Sequence, residues 1–506
     1  MFEYDDVNEG DEMVASEDDI GTAICSEKAD AMLSKVGLEV SEEEDPINFN
    51  RYENVFSDKV HLHLCEILSE HKLPYELSSF QKVALHAIGS GRNTILISPT
   101  GTGKSVVVTY GIMLLRKIKE RSKGVGIGTL PLSLVMEEKM RTSQVATAVL
   151  SLKGDIDVDS EAMESNVSKP ITGVLEGEFP IIVGHPEAWN TGFGQDLVSN
   201  LKEGPGILLN FIDEAHMHGS DHWQKIRPEL KTVPGQLRIF LEPGCPTLAM
   251  SATLTKEEVE ELSTNLGFHE KPLVLEASPV QEHFKFVLIR RPPNTAGFEG
   301  YQDSKGHFHP GLSQLLETIY ISKFIKSIKA KEEVPKCIIF CRTEDHMLEI
   351  YEHIKYSLPE LRDRMKMPFV MNHSGCGKAT TQNILERRND ISLYVATTKM
   401  LLGIDLANIQ IVIFVRPLNK LHYLLQGSGR AGRRNASGFK KRVLVYILFN
   451  SSDVASNVPG MSSEVRKFCS STRCLKELLR DYFQISGEAA HCEPVDKEWC
   501  CSVCDQ

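Results

Sequence analysis

The sequence contains no long apolar run. Its longest, near Val106 to Leu115, is interrupted by Thr109 and Tyr110 and stops at Arg116, short of the ~18 residues a membrane helix needs. A helical membrane span is excluded, and no membrane partner is expected. The opening MFEYDDVNEGDE lacks the positive start and apolar centre of a secretory signal and the arginines of a transit peptide, so export is not expected. A disulfide framework is missing too. Of twelve cysteines, six fall between Cys469 and Cys504 and the rest are scattered singly, a distribution that points to a metal site instead. Basic residues are nearly absent from the first 50 positions, which hold 16 acidic and 2 basic side chains. That block contributes −14 to a net charge of −13, leaving +1 for residues 51 to 506. With few aromatics and repeated like charges, it reads as a disordered acidic tail. Such a tail is either a solubilising extension or a segment that competes with nucleic acid for a basic groove or recruits a protein partner.

At roughly 150 residues per domain, 506 residues suggest about three domains, and 41% hydrophobic content lets each bury a core. From residue 51 to 278 short β-rich apolar runs alternate with helical patterns: TILIS at 94 to 98, GVGIGTL at 124 to 130, PIIVG at 180 to 184, GILLNFID at 206 to 213 and TLAMSAT at 247 to 253. Strands apolar on both faces and separated by helices imply a parallel α/β sheet. The pattern restarts over 279 to 460 with FKFVLIR, KCIIF, MPFVM, ISLYVAT, QIVIFV and VLVYILF. Two tandem α/β domains follow, with a loop expected at 153 to 166 and a loop or insertion at 292 to 311. A helical, Cys-rich subdomain is expected from 461 to 506.

Ser98-Pro99-Thr100-Gly101-Thr102-Gly103-Lys104-Ser105 follows a strand and opens a helix whose apolar residues Val107, Val108, Ile112, Leu115 and Ile118 recur at helical spacing. This is the context of a phosphate-binding loop. Its glycines let backbone N–H groups turn inward around phosphates, Lys104 reaches the β- and γ-phosphates, and Ser105 offers a hydroxyl to Mg²⁺. Asp213 and Glu214 end another buried strand about 110 residues on. A nucleotide hydrolase needs one carboxylate to hold Mg²⁺ and one to orient the attacking water.

Four motifs stand in the order seen in superfamily 2 helicases: the phosphate loop, Asp213-Glu214-Ala215-His216, Ser251-Ala252-Thr253, and Gln426-Gly427-Ser428-Gly429-Arg430-Ala431-Gly432-Arg433. Arg227-Pro228-Glu229, Gly403-Ile404-Asp405 and the terminal Cys cluster resemble the RecQ family of DEAH-box DNA helicases within that superfamily. The resemblance covers roughly residues 60 to 506. It implies two RecA-like domains that clamp ATP and Mg²⁺ and move along single-stranded or partially duplex DNA, 3′ to 5′, in repair or recombination in the nucleus. It implies that Asp213 coordinates Mg²⁺, that Glu214 is the base for the lytic water, and that His216, Ser251 and Thr253 couple hydrolysis to the nucleic-acid face. Arg430 and Arg433 resemble the arginines that neutralise charge on the γ-phosphate, while Gln426 and Asp405 resemble residues completing the closed site. Gln81 matches the family's adenine-reading glutamine, although Ser78 stands where the family has arginine. Trp223 and Arg227 fall in the segment that couples DNA contact to hydrolysis, changed here to Met217-His-Gly-Ser-Asp-His-Trp223-Gln-Lys-Ile-Arg227. Thr129 to Leu134, His185-Pro186-Glu187 and His373-Ser374-Gly375 resemble backbone-holding turns.

Cys474, Cys492, Cys501 and Cys504 have seventeen, eight and two residues between them, and four thiolates can close a tetrahedral structural Zn²⁺. Cys500 is the alternative to Cys501. The amphipathic stretch from Cys474 to Phe483 resembles the family's zinc-domain helix. The chain stops two residues after Cys504, so the winged helix of many RecQ-like proteins is not expected. ATP hydrolysis on single-stranded DNA is then expected to exceed separation of long duplexes.

Overall fold

A computed structural model describes residues 26–36, 39–40, 52, 54–71, 76–99, 101–130, 145–152, 156–158, 170–218, 227–278, 280–357, 369–372, 383–384, 386–397, 406, 408–432, 440–483 and 499–505. Two parallel sheets stand in tandem. The first has eight strands in the order 156–158, Thr147–Leu150, Ile181–Gly184, Val125–Thr129, Ile207–Ile212, Thr247–Ser251, Thr94–Ile97, Leu273–Glu276. All its pairs are parallel except the outermost, 156–158 on Thr147–Leu150.

Alternation of side chains along these strands explains their apolar composition. Leu96, Phe211, Leu248 and Met250 face the helix layer of Ser79–Gly89 and Lys104–Ile118. Ile95, Ile97, Ile212 and Ala249 face the opposite layer with Leu254 and Leu262. Gly128 lies against the Phe211 ring, where a Cβ would approach to 2.2 Å, so the glycine makes room for the aromatic next door.

The second sheet is wholly parallel, in the order Phe284–Arg290, Val443–Phe449, Ile409–Phe414, Lys336–Phe340, Leu393–Ala396, Phe369–Asn372. Phe340 and Phe414 stack on neighbouring strands with centroids 5.2 Å apart. The terminal Cys segment is stitched to its edge. Cys501 bridges to Phe286, Ser502 N–H donates to the Phe286 carbonyl at 2.9 Å, and Lys285 pairs with Asp505 at 2.8 Å.

Several expectations need correction. The acidic tail is not disordered throughout: Ser26–Lys35 is a helix. Met32, Leu33 and Val36 are buried with Tyr320 and Phe324 of the second domain. Gln410 Nε2 donates to the Val36 carbonyl at 3.1 Å, and Glu39–Val40 pairs antiparallel with Lys440–Lys441. The charge average conceals a three-residue apolar stripe whose partner surface lies almost 300 residues away. The loop at 292 to 311 contains a hairpin of Tyr301–Gln302 and Phe308–His309, its turn held by Asp303 accepting from the amides of Lys305 and His307.

Candidate nucleotide site and interdomain cleft

The phosphate loop joins Thr94–Ile97 to the helix Lys104–Ile118. Gly101 and Gly103 have φ of 85° and 79°, left-handed values that admit glycine without penalty. Lys104 Nζ donates to the carbonyls of Ser98 and Pro99 at 2.7 and 3.0 Å. Thr102 Oγ1 contacts Ser98 Oγ at 2.8 Å and the Pro99 carbonyl at 2.9 Å. A Cβ on Gly103 would sit 2.4 Å from Gln81 Nε2. The loop is thus a glycine-lined turn at a helix N-terminus with a lysine across its mouth, a donor set that fits the phosphates of ATP.

Gln81 is buried and doubly committed. Its Oε1 accepts from Ser78 N–H at 3.0 Å in a capping box, and its Nε2 faces the carbonyls of Thr102 and Gly103 at 3.3 Å each. The departure from arginine to Ser78 therefore supplies the N-cap of the Gln81 helix.

Asp213 and Glu214 follow Ile207–Ile212. Glu214 adopts φ 51°, an unusual left-handed value for a residue with a side chain, and its N–H donates to Asp213 Oδ1 at 3.1 Å. His216 is buried next. Its Nδ1 lies 3.2 Å from Ser251 Oγ and its Nε2 3.0 Å from Gln426 Nε2 of the second domain. Burial, reinforced by nearby His422, lowers the imidazole to about 3, so the ring is neutral at physiological pH. Ser251 Oγ donates on to the Thr253 carbonyl at 2.9 Å.

Arg430 is buried behind Gln426 at the end of the helix Leu421–Ser428. Between the domains runs a narrow cleft lined by Pro99, Ala252 and Thr253 on one side and Gln281, Phe284, Leu425 and Gly429 on the other. Sequence reasoning missed His422, whose Nδ1 lies 2.9 Å from Thr253 Oγ1 and whose Nε2 lies 3.3 Å from Glu258. Its position one helical turn before Gln426 was the available signal.

Arg227 joins two segments of the first domain. Its guanidinium grips Glu187, with Nε to Oε1 at 2.5 Å and Nη2 on Oε2, and it also contacts His185 at 3.3 Å. Bidentate pairing makes it a clamp between two first-domain segments. Thr100, Trp223, Asp405, Arg433 and Cys492 lie outside the described residues, as do Pro131 to Leu134 and His373 to Gly375.

The thiols of Cys474, Cys500, Cys501 and Cys504 all lie within 4.8 Å of one another. Tetrahedral zinc–thiolate bonds of ~2.3 Å place sulfurs about 3.8 Å apart, and two of these pairs, Cys474 with Cys500 and Cys501 with Cys504, stand at 3.5 Å. Four such ligands fit a structural metal. The thiols of Cys474 and Cys500 and the Leu475 N–H hold Cys501 well below the usual thiol range. Cys500 therefore joins Cys501 rather than replacing it, because adjacent residues in the tight 499–505 turn both face Cys474.

Comparison with known proteins agrees with this geometry. A DEAD/DEAH box helicase domain matches residues 78–262, and a helicase conserved C-terminal domain matches residues 318–435. The chain is 20% identical over 494 residues to the putative ATP-dependent DNA helicase Q1 of Caenorhabditis elegans, covering 94% of this chain and 68% of the relative. It is 22% identical over 376 residues to the ATP-dependent DNA helicase RecQ of Bacillus subtilis, covering 74% and 54%. Among solved structures, the DUF1998 helicase MrfA bound to DNA matches with a TM-score of 0.58 at 15% identity, over 85% of this chain and 53% of that one. The chain thus spans between about half and two thirds of the length of these proteins. The chain therefore carries the paired domains of DEAD/DEAH box helicases. Its relatives include RecQ-like DNA helicases.

Proposed function

We propose that the chain is a RecQ-type DNA helicase that moves 3′ to 5′ on single-stranded DNA, opens partial duplexes and serves repair or recombination in the nucleus. The observation carrying the DNA assignment is the four-thiol cluster fastened to the edge of the second motor sheet. A bare two-domain motor has no need of it, and it stands where the RecQ resemblance puts a zinc subdomain. Zn²⁺ there would be held by Cys474, Cys500, Cys501 and Cys504, and would contribute folding free energy.

Hydrolysis of bound ATP with Mg²⁺ supplies the free energy for movement. Lys104 turns from the Ser98 and Pro99 carbonyls to the phosphates, while Ser105 and Asp213 hold the cation. Glu214, raised out of the strand by its left-handed backbone, accepts the proton of the attacking water. Arg430 and Arg433 face the charge that develops at the γ-phosphate. Gln81 turns its amide from the Ser78 N–H and the Thr102 and Gly103 carbonyls to adenine when nucleotide binds. The residues before Ser26 recruit a protein partner through their acidic side chains.

ATP turnover measured with single-stranded DNA, with RNA and without nucleic acid tests the assignment, together with displacement of 3′- and 5′-tailed duplexes. Preferential stimulation by DNA and opening of the 3′-tailed substrate are expected. Equal or greater stimulation by RNA overturns the DNA reading.

A further inference from the structure

His422 is buried where three parts of the molecule meet. Both ring nitrogens face the first domain, Nδ1 toward Thr253 Oγ1 at 2.9 Å and Nε2 toward the Glu258 carboxylate at 3.3 Å. The ring itself meets Phe483 edge-on at 4.8 Å and 85°, and Tyr482 at 6.0 Å and 75°. These two aromatics lie at the end of the helix Leu475–Phe483, which starts directly after Cys474 of the thiol cluster. That helix buries Leu475, Leu479 and Phe483 in the second-domain core. Lys476 and Arg480 pin it to Glu282. Its length, nine residues or about 13 Å, connects the cysteines to the imidazole as one rigid element.

A histidine that merely filled the second-domain core would find its polar partners there. Here they are Thr253, within the Ser251-Ala252-Thr253 motif, and Glu258, which caps the next helix through Thr255. Glu258 stays below the ordinary carboxylate range although burial, the largest single influence, pushes it up, because the hydrogen bond and charge of His422 act together with the Thr255 N–H and His216 to outweigh that burial. Gln426, one turn further along the same helix, reaches His216 on the other side of Ser251. The pair grips this motif from two directions.

We infer that His422 is a positioning residue through which the cysteine module sets the interdomain cleft. With the module helix in place, Phe483 and Tyr482 fix the ring, the ring fixes Thr253 and Glu258, and the arginine-motif helix is held in register over the nucleotide site. This rests on the reading of the chain as an ATP-driven motor, and it adds that the module acts on turnover as well as on stability.

The test compares the full chain with His422→Ala, His422→Asn and Phe483→Ala. The readouts are kcat and KM for ATP at saturating single-stranded DNA, bound metal per chain, and radius of gyration by X-ray scattering with a non-hydrolysable ATP analogue and Mg²⁺. His422→Ala and Phe483→Ala are each expected to lower stimulated kcat about ten-fold, a size typical of coupled polar networks. KM should stay within about two-fold, metal content should be unchanged, and the analogue-bound chain should be more open. His422→Asn, whose amide can stand where Nδ1 stands, should recover much of the lost turnover. The inference is overturned if Phe483→Ala keeps wild-type kcat and compactness, or if asparagine is no better than alanine. Should the unaltered chain hydrolyse no ATP, the motor reading fails by itself, and the scattering of the same variants still decides whether His422 holds the cleft.

Discussion

Gln426 Nε2 lies 3.0 Å from His216 Nε2, joining residues 210 positions apart and on different domains. An amide nitrogen can only donate, so His216 Nε2 accepts and its Nδ1 carries the proton toward Ser251. The neutral ring therefore relays one hydrogen-bond direction from the second domain to the segment beside Glu214. Gln426→Leu removes the donor and leaves the buried nitrogen unsatisfied, a change costing ~1 to 3 kcal/mol. Stimulated ATP turnover is expected to fall ten-fold or more by this estimate, with nucleotide binding retained. A titration with a fluorescent ATP analogue alongside steady-state kinetics checks both halves.

Lys104→Ala and Glu214→Gln are each expected to abolish hydrolysis, but for different reasons. Removing Lys104 takes away the cation at the phosphates and weakens binding. Glu214→Gln removes only the base, so ATP with Mg²⁺ should remain bound. Normal turnover by Glu214→Gln would remove Glu214 from its assigned role.

Metal analysis is expected to give one Zn²⁺ per chain, and Cys501→Ser or Cys504→Ser should lower the unfolding temperature, because structural zinc binding is folding free energy. Cys500→Ser should also weaken zinc retention, since its thiol is one of the four within 4.8 Å. Full zinc in Cys500→Ser with loss in Cys492→Ser would restore the ligand set read from spacing.

Leu33 is 5% exposed against the second domain. Leu33→Asp buries a charge without a partner, and Leu33→Ala opens a cavity worth about 2 to 5 kcal/mol. Calorimetry should show the loss in the transition of the second domain. A silent Leu33→Asp would mean that the helix Ser26–Lys35 is not docked in solution.

Burial lowers His216 to about 3 and His86 and His218 to about 4, from an ordinary 6.5. Depressed folded values mean that the unfolded chain gains protons first as pH falls. The stability these groups provide is present above pH 6.5 and is lost below it, by ~1.4 kcal/mol per pH unit per histidine until the folded values are reached. Unfolding temperatures recorded from pH 7 to pH 4.5 should drop steeply, and replacing His218 with an uncharged residue should flatten the slope.

The sequence by itself determined the two sheets and the chemistry of the phosphate loop. Both-face-apolar strands, a Gly-rich turn before an amphipathic helix, and carboxylates at a strand end are local patterns, written in neighbouring residues. It did not disclose the strands Thr147–Leu150 and Leu273–Glu276, four residues each, whose place in the sheet depends on pairing with Ile181–Gly184 and Thr94–Ile97. Arg227 was legible as a charge, but its bidentate hold on Glu187 depends on two segments folding side by side.

Tertiary structure alone decided the rest, because it concerns meetings between distant residues. Val36 meets Gln410 across 374 positions. His422 meets Thr253 across 169, and Cys474 meets Cys500 across 26. A charge count over 50 residues averages away Met32, Leu33 and Val36, whose burial depends on an apolar face that only the folded second domain presents. Spacing alone ranks a CxxC pair above an adjacent cysteine, yet the backbone turn at 499–505 aims both Cys500 and Cys501 at one point, and that aim is a property of the fold.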